Sequence, residues 1–560
     1  MAIAAAPEKR PGKSIPASQR RKKWLFRGTA ILLGLSIFPA LELLLRLLDV
    51  GQNTSLVIPV DPASIANGEK FSHQFNGAAD LAFYGQTDLS GPESRPFALP
   101  KPTRTLRIVV LGESTVIGFP YPSELSFPRH LELQLQRQMP ERDVEVLNAG
   151  ITGINSFAIA KLAAQCLQAE PDLIVVHAGH NEFYGPGGPG STAFNLPPAV
   201  IRLAFAVRQW RTVQLFSGGY NKNPPQDDLL NILPQDLDIA LGSAIYQQAK
   251  INYETNLREV VNLSADAGIP LLLTTVACNL RDQSPMFSGF HGTSRSAQTE
   301  CADLVEKAAK KIDVGDFAAA LALLQEGEKI VPDDANLHYR FGQCYHGQGK
   351  IDDAWKSFSR ARDLDGCRFR IPSEFYPLTE SVAAERDNCF FMDVPGEMRK
   401  AGVDPAPGHE LFLEHVHYNF DGNYLLGKLI AAAVQTKCLG RKWDDAIVPD
   451  AAEARDLLGF LPEDDLAATS FAIRALETGP FSRTIDRKKQ TEFLVDRAAK
   501  LFTALPELRR NIFADLPVEH MADDMLQHLL KSHKRSGDRD FCEVIERCQQ
   551  KRSPWKYSKR

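Results

Sequence analysis

The chain has 560 residues, 44% hydrophobic and 24% charged, the balance of a globular protein long enough for several domains. Its net charge of −5 divides unevenly: residues 1–27 carry eight basic side chains against Glu8, a surplus of +7, which leaves −12 to the rest. A mildly acidic body lacks the basic face that nucleic acid demands, and nine scattered cysteines without a C-x-x-C pair point to neither a zinc site nor a dense disulfide framework.

Residues 1–23, rich in Ala, Pro, Ser and basic side chains, are expected to be a disordered basic tail. The stretch 24–48, WLFRGTAILLGLSIFPALELLLRLL, has an uncharged run over 28–41. That run is short of the roughly 20 residues of a full span. Arg27, Glu42 and Arg46 lie near its ends, where long side chains can snorkel, and further leucines extend it. With basic residues ahead of it, it predicts an uncleaved single-pass membrane anchor, N-terminus cytoplasmic and body periplasmic or otherwise extracytoplasmic. One or two disulfides would be compatible with that location. A buried amphipathic helix is the alternative. Residues 51–104 read as a loop-rich lead-in with short strands packing on the main domain.

Residues 106–111 are short, apolar and rich in β-branched side chains, as in a strand covered on both faces. The run stops at Gly112-Glu113-Ser114-Thr115, a turn into a helix. Ser114 then stands at the carboxyl end of a buried strand, where open α/β sheets place their chemistry. The following helix is expected to offer N-terminal N–H groups to a developing anion. Taken alone, the turn is an ordinary βα connection; it gains meaning from three further blocks along the chain.

A helix is expected over 127–139 and a second strand over 144–147, closing on Asn148-Ala149-Gly150-Ile151-Thr152-Gly153. A helix over 155–169 leads to a third strand, 173–176, ending in His177-Ala178-Gly179-His180-Asn181-Glu182. The Gly/Pro-rich stretch 185–198 reads as a lid or substrate wall. A long helix over 244–267 precedes a fourth strand over 269–275. Strands alternating with helices indicate a parallel, doubly wound sheet.

Near residue 300 the texture changes. Helical segments over 317–330 and 337–364 repeat with a period of 34, aligning Ala320 with Ala354, Leu324 with Phe358 and Gly327 with Ala361. Gly342, Tyr345 and Pro332 fall where a tetratricopeptide repeat has them. Two units resembling that repeat are therefore inserted over 300–367, and two units must lean on a neighbour. A structural insert and a groove for a protein partner both fit. The sheet resumes with a fifth strand over 390–394 and the block Leu413-Glu414-His415-Val416-His417-Tyr418-Asn419, followed by a helix over 425–435. Residues 441–560 are helical and charged and carry no recognisable chemistry.

Four blocks thus stand in one order at strand ends: Gly112-Glu113-Ser114, 148–153, Gly179-His180-Asn181-Glu182 and Glu414-x-x-His417. This order resembles the SGNH/GDSL hydrolase superfamily of serine esterases and acetyltransferases, over 106–182 and again around 269–430. The resemblance implies Ser114 as nucleophile, Gly153 and Asn181 as oxyanion donors, and His417 as base oriented by Glu414. Two departures stand out. Glutamate replaces the usual aspartate before Ser114, and glutamate rather than aspartate lies three residues before His417. His415 is a competing base, but Phe412 occupies the acid's place before it.

The chemistry agrees with the resemblance. A serine hydroxyl needs an imidazole to take its proton and a carboxylate to fix the tautomer, and donors aimed at the carbonyl oxygen stabilise the charge it gathers. No metal or cofactor is required.

The expected layout is a three-layer α/β/α domain with a five-stranded parallel, flavodoxin-like sheet over 105–299 and 368–440. The repeats interrupt it and a helical extension, 441–560, comes after it. The expected activity is hydrolysis of a carboxylic ester on a small molecule or glycan, with acyl transfer to a cell-surface polysaccharide or a non-catalytic repeat scaffold as alternatives.

Overall fold

The computed structural model describes residues 17–61, 71–84, 91–191, 196–217, 238–288, 292–514 and 525–556. The expected disordered tail lies outside the described residues over 1–16, but its last part is helical. A single helix, Ala17–Leu47, begins directly after Pro16, with no breaker before the apolar stretch it enters. It contains Pro39, and no helix among the described residues is long and apolar enough to cross a membrane. Its carboxyl end is pinned to the body, where the Glu42 carboxylate accepts the backbone N–H groups of Arg211 (3.1 Å) and Thr212 (2.9 Å). The lead-in forms a small antiparallel sheet of β1 (Val57–Pro59), β2 (His73–Phe75) and β3 (Pro96–Phe97).

The main sheet has β4 (Thr105–Gly112), β5 (Asp143–Gly150), β6 (Leu173–His177), β7 (Leu271–Thr274) and β8 (Cys389–Met392). All neighbours are parallel, in the order β5-β4-β6-β7-β8. Alternate side chains feed two cores, as the pleat requires. Val109, Leu111, Ile174, Val176, Leu271 and Leu273 face the helices Ser156–Cys166, Ala244–Asp266 and Tyr376–Ala383. Ile108, Val110, Leu173, Val175 and Leu272 face Phe127–Gln138, Val394–Lys400 and Phe420–Ala433. Burial on both faces explains the near-continuous apolar runs. All nine cysteines are unpaired.

The helical insert begins earlier than residue 300. Ser294 caps a helix over Arg295–Asp313, its side chain accepting Ala297 N–H. With Phe317–Ile330, Ala335–Gly347 and Ile351–Leu364 this makes two complete hairpins. The insert leans on the main domain through a cluster of Cys278, Leu280, Tyr339, Phe358 and Val416, and the Tyr339 hydroxyl donates to the Arg281 carbonyl (2.8 Å).

The C-terminal extension has its own small core around Leu466, Phe513, Leu529, Phe541 and Ile545. It grips the insert through a two-pronged Arg340–Asp486 ion pair, 2.7 Å on each prong.

Candidate active site

Register brings the first three blocks level. Gly112 at the end of β4 pairs with Gly150 on β5 and His177 on β6, so Ser114, Gly153 and Asn181 leave three adjacent strands at the same edge. Gly112 has to be glycine, since a Cβ there would lie 2.1 Å from the His177 carbonyl oxygen. Gly153 turns the chain at φ +74°, a conformation that side chains disfavour. Ser114 opens a helix of only four residues, Ser114–Ile117, closed by Gly118 at φ +94°. The expected helical support for an anion is therefore a single turn.

The fourth block is a tight loop. Phe412 and Tyr418 form an antiparallel bridge and stack at 4.7 Å, and Leu413 N–H donates to the His417 carbonyl (2.9 Å). Asn419 then caps the helix Phe420–Ala433, its side chain accepting Gly422 N–H at 2.9 Å. Held between bridge and cap, His417 projects toward the turn after β4. Its Nε2 lies 2.8 Å from Ser114 Oγ, across 303 residues of chain.

On the other side of the ring, Nδ1 meets Glu414 Oε1. That oxygen also accepts His417 N–H (3.0 Å), and Oε2 accepts His415 N–H (2.7 Å). The carboxylate only accepts, so the proton belongs on Nδ1 and Nε2 is left to accept from the serine hydroxyl. Ser114, Glu414 and His417 are all buried. Burial drives the imidazole down to about 3, so it is neutral at ordinary pH.

Gly153 and Asn181 are half-buried at the rim. Glu414, His415 and His417 offer ligand atoms within 4.8 Å of one another, but His417 Nε2 and Nδ1 are directed to Ser114 and Glu414 respectively. The arrangement is a hydroxyl–imidazole–carboxylate chain that can move a proton. His177 and His180 are turned inward, onto Thr274 Oγ1 (2.8 Å) and the Ala277 carbonyl (3.3 Å).

A function for Glu113 was not visible in the sequence. Its fully buried carboxylate accepts the backbone N–H groups of Gly179 (2.9 Å), His180 (3.0 Å) and Asn181 (3.3 Å). It therefore fixes the turn that carries Asn181 to the residue beside Ser114. Burial and the neighbouring Glu182 carboxylate raise it to about 8, against the pull of those three donors. Glu182, itself raised to about 7 by burial, accepts Ser156 N–H (2.8 Å) and the Ser156 hydroxyl (2.7 Å). The sequence signal for Glu113 was its place next to the serine, but its partners lie 66–68 residues on.

No curated protein matches the chain. Among solved structures, it is similar to a protein assigned to the G-D-S-L lipolytic family from Desulfitobacterium hafniense DCB-2, at 13% identity and a TM-score of 0.25, covering 58% of this chain and 98% of the other. It is also similar to an alpha/beta hydrolase enzyme from the metagenome of Lake Arreo, Spain, at 14% identity and a TM-score of 0.27 over 60% and 95% of the two chains. A two-domain esterase active on acetylated mannans shares 13% identity at a TM-score of 0.23, over 62% of this chain and 52% of that one. With scores this low, function has to be read from the residues themselves. Residues 311–365 match the tetratricopeptide repeat family. The chain is thus similar to G-D-S-L lipolytic and esterase structures, and the helical hairpins inserted into its parallel sheet carry a tetratricopeptide repeat.

Proposed function

We propose that the protein is a serine hydrolase of the SGNH/GDSL type that cleaves a carboxylic ester through an acyl-Ser114 intermediate. Ser114 Oγ attacks the acyl carbon while its proton passes to His417 Nε2. The imidazolium that forms is held by Glu414 and returns the proton to the departing alcohol oxygen. Water then attacks the acyl-serine, giving its proton to His417. The acid leaves and Ser114 recovers its hydroxyl. Gly153 N–H and the Asn181 amide are assigned to the oxyanion, a role in which removing one donor costs about 10²–10³ in rate.

The observation that carries this reading is the 2.8 Å contact between His417 Nε2 and Ser114 Oγ, with a carboxylate on the far nitrogen. Acyl transfer to a sugar hydroxyl passes through the same acyl-serine. An added glycan acceptor that becomes acylated and speeds turnover would replace hydrolysis by transfer.

The Ala17–Leu47 helix is read as holding this body at a membrane. Support comes from its basic flank and from the exposure of Trp24, Phe26, Ile37, Phe38, Leu43 and Leu47. The full chain is expected to sediment with membranes and a chain lacking residues 1–47 to stay in solution; a full chain that stays in solution would remove this role of the helix.

The decisive test of the chemistry is release of p-nitrophenol from its acetate ester together with labelling by a fluorophosphonate. Both are expected of the wild type. Ser114→Ala is expected to lose the label and about 10⁴-fold or more of the turnover. Equal turnover by the alanine variant would remove Ser114 from the chemistry.

A further inference from the structure

The catalytic imidazole has a third neighbour besides the serine and the carboxylate. The Phe119 ring stands edge-on to His417, centroids 5.1 Å apart at 63°. Behind Phe119, at 4.7 Å and 85°, stands Phe471. Phe471 belongs to the helix Pro462–Glu477 of the C-terminal extension, a segment whose sequence announced no chemistry. A second ring from the same extension, Phe481, lies 4.7 Å from His415 and 5.4 Å from Phe369. The extension therefore touches His415 directly and backs His417 through Phe119.

This contact is built rather than incidental. The Tyr121 hydroxyl, two residues after Phe119, donates to Asp465 on the Phe471 helix. At that helix's start Asp464 accepts Leu461 N–H (2.7 Å) and pairs with the buried Arg552 (2.5 Å). Glu463, fully buried, takes both prongs of Arg509 at 2.8 and 2.6 Å. A helix clamped at its amino end by two arginines cannot drift from the ring it supports. Ser114 and His417 lie beneath the surface, at 7% and 9% exposure, while Phe119 and Phe471 are half-buried. The two rings stand on the imidazole's side of the site and are more exposed than the hydroxyl it serves.

We propose that the C-terminal extension completes the active site, with Phe471 acting as a specificity-determining residue that confines the mouth to short acyl groups and, through Phe119, as a positioning residue for the His417 imidazole. The inference rests on the serine-hydrolase reading. Truncating Phe471 removes the outer of the two rings beside the imidazole. Bulkier acyl chains gain room, and the ring that steadies the imidazole loses its backing. A pocket dimension changed by a few carbons shifts discrimination by one to two orders of magnitude.

The experiment measures kcat and KM of the full chain on p-nitrophenyl acetate and octanoate, for wild type and Phe471→Ala, with folding checked by circular dichroism. The octanoate-to-acetate ratio of kcat/KM is expected to rise about 10-fold, and kcat on acetate to fall several-fold at little-changed KM. Phe471→Tyr is expected to restore the wild-type profile. Tyr121→Phe, which removes only the hydroxyl that ties the two segments, is expected to move both quantities the same way by a smaller amount. An active wild type whose ratio and kcat are unmoved in Phe471→Ala would overturn the role of the extension and leave the hydrolase reading intact. A wild type inert toward both esters and toward a fluorophosphonate would overturn the hydrolase reading, and this inference with it.

Discussion

The parallel sheet and the helical hairpins inserted into it gather their contacts in opposite ways. In the insert, partners are near in sequence. Gly342 packs on the Phe358 ring of the next helix, and Asp334 caps its own helix by accepting Leu337 N–H at 2.6 Å. At the sheet's edge only the Glu414–His417 pair is local. Ser114 meets a histidine 303 residues later, and the ring behind that histidine's aromatic neighbour comes from the extension. A repeat can be damaged and leave its neighbours standing, whereas the site is only as good as the register of five strands and three segments around them.

That contrast is broken most severely at His417. His417→Ala is expected to lower kcat/KM by about 10⁴-fold or more, whereas His415→Ala, whose ring does not reach Ser114, is expected to lose no more than about 10-fold. Both are read from p-nitrophenyl acetate turnover. A reversal of that order would hand the base's role to His415. Next in size is Asn181→Ala, expected to lower kcat by about 10²–10³ with KM little changed, as for the loss of an oxyanion donor. An effect on KM alone would make Asn181 a binding residue.

Much of the fold was legible before any coordinates. The runs over β4 and β6 are apolar at successive positions because both faces are covered, and each leads within two residues to a glycine because the chain must turn at the active edge. Ser114 and His417 were legible through the blocks they sit in. Glu113 was not, because its role depends on the backbone of a turn beyond the next crossover. The extension was opaque for a related reason. Its buried acids Glu463 and Asp464 read as ordinary surface charge until Arg509 and Arg552 are brought to them from 46 and 88 residues away. The start of the insert, by contrast, had a local signal in the Ser294 cap.

The insert's own weak point tests whether it is as separate as its local contacts imply. A Cβ on Gly342 would fall 2.6 Å from the Phe358 ring, which is itself buried. Gly342→Val is therefore expected to cost about 1–3 kcal/mol by overpacking, seen as a lowered thermal midpoint. Turnover per folded molecule is expected to stay within about 2-fold of wild type at 25 °C, since the variant strips no contact from Ser114 or Glu414. A loss of turnover as large as that of Asn181→Ala would show that strain in the repeat reaches the catalytic loop, by way of Val416 in the shared cluster.

The smallest expected effect lies beneath the site, in two neighbouring buried carboxyl groups, Glu113 under the oxyanion turn and Glu182 on Ser156. Glu113 and Glu182 are raised to about 8 and about 7 from an ordinary 4.5. A carboxyl group raised on folding binds its proton more tightly in the native state. Its contribution is therefore whole below pH 4.5 and is lost as pH rises through 7 and 8. Glu182→Gln mimics the protonated form at every pH. The difference in thermal midpoint between this variant and wild type is thus expected to shift in the variant's favour from pH 5 to pH 8. The expected shift is about 2–4 °C, equivalent to roughly 1 kcal/mol in a domain of this size. Taking the difference cancels the opposite trend of the buried histidines, which His130 and His177 contribute equally to both proteins. A difference that stays flat across that range would mean that Glu182 keeps one protonation state from pH 5 to pH 8, against the burial that raises it.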